Sequence, residues 1–165
     1  MTGASSWSFR EDDARRLQAI LQGFLRESNA HTALIVDRAG QLVATAGQAP
    51  RFDPTAFASL TAADFSANDQ LARMLGEPEF GALFHQGERE SMYLADVARR
   101  LILVVLFDSR TTIGLVKLRL RSAVGELDQL FRAMFERDGA GRRAPVVERE
   151  FVGEAEDEID KLFGA

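Results

Sequence analysis

A chain of 165 residues with 46% hydrophobic content holds enough apolar material for one ordinary domain with some length to spare. Its formal net charge of −5 argues against nucleic acid or an anionic membrane surface as a partner, because neutralising phosphates requires clustered Lys and Arg. The lack of cysteine excludes disulfides, a thiol nucleophile and a thiolate metal site, and fits a reducing compartment.

The start, MTGASSWSFRED, has no apolar signal-type segment, and the longest apolar run, LILVVLF, is far short of the roughly 18 residues a membrane span needs, so the expected location is the cytoplasm. Ser8 and Glu11 have capping-box spacing, and Ala14, Leu17, Leu21, Phe24 and Leu25 then recur at helical spacing, which predicts a first helix ending near Ser28. Two β-rich runs, Thr32 to Val36 and Gln41 to Ala46, flank the turn chemistry of Asp37 to Gly40 and read as a hairpin. Asp53 followed by Pro54 predicts a capped second helix that runs to Leu75 and stops at Gly76. Three further strands, Gly81 to Gln86, Glu90 to Asp96 and Arg99 to Phe107, are joined by turns too short for a crossover and form an antiparallel meander. A third helix carries Leu120, Val124, Leu127, Phe131 and Met134 on one stripe and closes at FERDG.

The order predicts an α+β class, a five-stranded antiparallel sheet between helices (α-β-β-α-β-β-β-α). The expected organisation is a domain over 8–137, a flexible linker over 138–150 and an amphipathic tail helix over 151–165. In the tail, Phe151, Ala155, Ile159, Leu162 and Phe163 share one stripe among acidic residues. Such a short helix is marginal alone and gains its burial energy only against another surface, which suggests a tethered element that folds on binding.

No motif for catalysis emerges. Walker A, GxGxxG, HExxH and GxSxG patterns are missing, and His31 and His85 lack carboxylates at ligand spacing, so no metal, cofactor or intrinsic enzymatic site is expected. The surface of the second helix is more informative. A wheel places Phe57, Leu60, Ala67, Leu71 and Leu75 toward the sheet, with Asp64 in that stripe, and turns Phe65 outward beside Ala58, Thr61, Ala62, Ser66 and Asp69 as a protein-binding face. The glycine-bounded run GALFHQG, if it lies at a sheet edge, would pair with a copy of itself through Leu83, Phe84 and His85.

The segments DRAGQLVATAGQ, ASLTAADFSANDQLARMLGE, FHQGERESMYLADV, LILVVLFDSRTTIGLVKLRLRSA and EIDKLFG, in this order over nearly the whole chain, resemble the MglB family of bacterial Roadblock proteins. The resemblance implies a Roadblock fold, a homodimer joined through the third strand, and activation of an MglA-type Ras-like GTPase in cell polarity or motility, two copies of this chain binding one GTPase and concentrating at a cell pole. It places partner contacts on the second helix at Ala62, Ala63, Ser66, Ala67 and Gln70, and on the tail at Ile159, Leu162 and Phe163. It also implies activation without an arginine finger, by reorganising the GTPase's own switch residues, so Arg89 and Arg110 read as surface or cap residues. Family members carry a small, glycine-containing run where this chain has AADFSANDQ. That difference keeps a second reading open, a Roadblock scaffold that binds a GTPase or another regulator without stimulating hydrolysis. A small-molecule sensor is a third, for which the residues offer no polar pocket signature.

Overall fold

In the computed structural model, which describes residues 7–141, the elements are α1 (Glu11–Ser28), β1 (Thr32–Asp37), β2 (Leu42–Gly47), α2 (Pro54–Met74), β3 (Ala82–Gln86), β4 (Ser91–Val97), β5 (Leu101–Phe107) and α3 (Ile113–Gly141). The strands form one antiparallel sheet in the order β2-β1-β5-β4-β3. This is the expected α-β-β-α-β-β-β-α architecture. GALFHQG is an edge strand.

Strand residues alternate between faces, and here both faces of the central strands are covered. Leu34, Val36, Leu94, Ile102 and Val104 form one cluster with Ala58, Ala62 and Phe65 of α2. Their neighbours Ala33, Ile35, Ala95, Leu103 and Val105 face the other way and are equally buried. There α1 runs along β1 and β2, and α3 brings Lys117 Nζ to 5.9 Å from the centroid of the Tyr93 ring. Double coverage is why β1 and β5 read as continuous apolar runs rather than as alternating ones.

Local chemistry fixes the connections. Asp37 accepts from the Gln41 backbone N–H at 2.8 Å and closes the β1–β2 turn. Gly40 in that turn has φ +89°, and a Cβ there would stand 3.0 Å from the Ser59 Cα of α2, so glycine permits both the turn and the close approach of the helix. Asp53 caps α2 through the Thr55 N–H at 3.0 Å, with Pro54 at the first helical position as expected.

Two helix ends differ from expectation. The capping box is not formed: α1 begins at Glu11, with Arg10 at the cap position and no side-chain cap. The preceding residues are held elsewhere, Trp7 and Phe9 packing their rings on Phe131 at 6.2 and 6.3 Å while Trp7 Nε1–H donates to Asp37 at 2.8 Å. Glu11, Asp12 and Asp13 in the first turn complement the helix dipole instead. The α3 helix continues through Asp138 and Gly139 to Gly141, because one interior glycine costs a helix only about 1 kcal/mol and the next proline is Pro145. The rest of the expected linker, and the tail, lie outside the described residues. Residues 7–131 belong to one compact unit, and Arg132 to Gly141 are the remaining helical turns of α3.

Candidate functional site

The phase of α2 is opposite to the one the wheel suggests. Its buried residues are Ala58, Thr61, Ala62, Phe65, Asn68 and Ala72, and Phe65 is only 1% exposed. Phe65 is therefore a core residue, not an outward anchor, and Ala62 beside it is 7% exposed. The reason is steric: three alanines let the helix lie close to the sheet, and one aromatic fills the space that remains. The residues assigned to the sheet face outward instead, Leu60 at 71%, Leu71 at 55% and Leu75 at 73% exposure, joined by Met74 at 82%. Phe57 is half-buried against the core cluster.

Leu60, Ala63, Ala67, Leu71 and Met74 recur at three, four, four and three, which makes a second apolar stripe on the solvent side of the same helix. Ala63, Ser66, Ala67 and Gln70 are exposed on or beside it. Burying large side chains of this kind is worth about 1.5–3 kcal/mol each, so the stripe stores binding energy that the described residues leave unused.

Polar anchors hold the stripe in place on both flanks. On one, Asp64 accepts a hydrogen bond from His85 Nε2 of β3 at 2.5 Å, which ties the helix to the edge strand. On the other, Arg38 bridges Asp69 of α2, at 2.7 Å, and Asp96 at the end of β4, and its guanidinium carbon lies 4.6 Å from the centroid of Phe65. The bulk and acidity of AADFSANDQ thus turn largely inward or into ion pairs. Phe65 and Asn68 are buried, Asp69 is paired, and the outward positions Ala63, Ser66 and Ala67 stay small.

Along β3, side chains split between faces. Leu83 packs on the α2-side cluster, Phe84 stacks on Phe107 at 6.1 Å on the other side, and among the described residues β3 pairs only with β4, leaving one rim of its backbone groups open. Arg89 is exposed in the β3–β4 turn, and Arg110 forks onto Asp108, Nε donating to Oδ1 and Nη2 to Oδ2, each at 2.9 Å. That fork, together with the Arg110 backbone N–H, holds the Asp108 carboxyl down at about 2 and raises the Arg110 guanidinium further. The tail residues Phe151, Ile159, Leu162 and Phe163 lie outside the described residues. No helix among the described residues is long and apolar enough to cross a membrane.

A cavity of about 750 Å³ also opens beside the start of α2, lined by Phe52, Phe57, Met92 and Leu106 with His31 and His85. No local pattern announces it, because its walls come from segments well separated along the chain.

The Roadblock/LC7 domain family matches residues 16–107, from the first turns of α1 to the end of β5. Among solved structures, Myxococcus xanthus MglB is 41% identical, with 72% of this chain and 96% of that chain covered and a TM-score of 0.69. The gliding protein MglB from Thermus thermophilus is 32% identical over 77% of this chain and 96% of its own, with a TM-score of 0.70. An MglB structure with a tetrameric arrangement is 32% identical, with the same coverage and a TM-score of 0.71. No match is found among curated protein sequences. On the family match and on identity above 30% over most of its length, this chain belongs to the Roadblock/LC7 domain family, with MglB structures among its relatives.

Proposed function

We propose that two copies of the chain pair along β3 and present their α2 helices as a platform for an MglA-type Ras-like GTPase, whose GTP hydrolysis they stimulate. The observation that carries this reading is the solvent-facing stripe Leu60, Ala63, Ala67, Leu71 and Met74 lying next to the open rim of β3. A free strand edge and an uncovered apolar helix face on one side of a sheet are liabilities in a monomer, and a partner removes both. In this reading the protein regulates catalysis in its partner. Arg110 is engaged by Asp108, which favours activation through the partner's own switch residues over insertion of an arginine. The tail stripe of Phe151, Ile159, Leu162 and Phe163 supplies a second contact, so truncation after Arg143 should leave the melting temperature unchanged and alter GTPase affinity or nucleotide exchange.

Single-turnover GTP hydrolysis by the cognate GTPase, with and without this protein, tests the proposal, alongside sedimentation of each component. A dimer that raises the hydrolysis rate supports it. Tight binding at an unchanged rate would reduce the protein to a scaffold, and a monomer without affinity for the GTPase would end the reading.

A further inference from the structure

Strand register brings together three residues far apart in sequence. Thr32 stands opposite Leu106 and Ser91 opposite Phe107, so His31, Glu90 and Asp108, each one step beyond a strand end, meet at one end of the sheet. Their ligand atoms all lie within 4.8 Å of one another. The His31 side chain is 13% exposed.

Both ring nitrogens of His31 have an oxygen in reach: Nδ1 lies 2.8 Å from the Thr32 hydroxyl, which is also 3.2 Å from the Gln48 carbonyl, and Nε2 lies 2.7 Å from Glu90 Oε2. With the Thr32 proton given to Gln48, Nδ1 is the N–H donor and Nε2 presents its lone pair toward Glu90, the tautomer that a metal ion between the two would select. Asp108 adds a second carboxylate, oriented by three N–H groups of Arg110, so that about one of its roughly four acceptor positions is left for an ion.

We propose that His31, Glu90 and Asp108 bind a first-row divalent cation, zinc being the natural probe. One imidazole and two carboxylates, without thiolate, suit a borderline ion. The partners of the ligands have the form that supports metal sites, a hydrogen-bonded Nδ1 and a hydrogen-bonded carboxylate. Bonds of about 2.0–2.2 Å set ligand atoms ~3–3.5 Å apart, so the cluster closes around an ion by small movements. Glu90, with its side chain 64% exposed, is free to make most of them. The ion would pin the start of β4, the strand that carries the edge strand β3, to the start of β1 and the end of β5.

The test is calorimetric titration of the chelator-treated full-length protein with zinc chloride, followed by ¹⁵N spectra of the histidine rings. We expect one saturable equivalent and a shift of His31 Nε2. Glu90→Gln and Asp108→Asn should each weaken binding by roughly tenfold or more, and His85→Ala should not change it. Glu90 is exposed, so its variant keeps the fold, which thermal melting verifies. Absence of a saturable event at millimolar zinc, undiminished affinity in Glu90→Gln, or a shift at His85 instead would overturn the proposal and leave an ordinary hydrogen bond between His31 and Glu90.

Discussion

Asp64 of α2 and His85 of β3 meet at 2.5 Å, and this contact joins the outward helix face to the open strand rim. Both side chains are substantially exposed, 36% and 47%, so their coupling belongs to the surface class of about 0.2–1 kcal/mol. A double-mutant cycle with Asp64→Ala and His85→Ala, read by chemical denaturation, should return a value in that range. A much larger coupling would mean that the pair organises the core rather than the surface.

Phe65 and Ser66 are adjacent in sequence and opposite in consequence. Phe65→Ala empties a fully enclosed site and should cost about 3–5 kcal/mol of folding stability. Ser66→Arg places a long charged side chain in solvent and should leave the melting temperature nearly unchanged while weakening GTPase binding. Reversed effects on stability would show that the helix is rotated relative to the packing described.

The pH dependence of one end of the sheet follows from Asp108. Its carboxyl is held at about 2 instead of the ordinary 3.8, first by the Arg110 side-chain hydrogen bonds. A lowered carboxyl stabilises the folded state above its unfolded value, and that contribution fades as pH falls from 3.8 toward 2. Arg110→Ala should therefore return the Asp108 carboxyl signal in carbon NMR titrations to the ordinary range and leave stability at neutral pH little altered, since an exposed pair contributes little there. An Asp108 titration that does not move in the variant would mean that the fork is not what lowers it.

Gly47 ends β2 with φ +88°, and a Cβ there would fall 2.3 Å from the His31 carbonyl oxygen. Gly47→Ala meets both backbone strain and a clash with main chain that cannot rotate away, so a loss of about 1–3 kcal/mol or more is expected in thermal melts. Gly76→Ala is the control for strain alone, since φ is +80° there with open space around the position.

Most of the fold was legible because the signals were local. Asp53-Pro54 marked the start of α2, the Asp37 to Gly40 turn marked the first hairpin, and LILVVLF lay within the last expected strand, Arg99 to Phe107. The phase of α2 was not legible. The helix carries two apolar stripes, and a wheel weights Leu60, Leu71 and Leu75 above Ala58, Ala62 and Ala72 although close packing on a sheet favours the small ones. Hydrophobicity reports what wants cover, not which surface supplies it. The His31, Glu90 and Asp108 cluster was hidden for a different reason, since only the pairing of β1 and β4 with β5 makes those positions neighbours.

The sheet order has a kinetic corollary. The β1–β2 hairpin and the β3–β4–β5 meander are each short-range and can zip in microseconds, but they adjoin only where β1 meets β5, with Thr32 opposite Leu106. Closing that long loop is the entropically demanding event on the way to the native state.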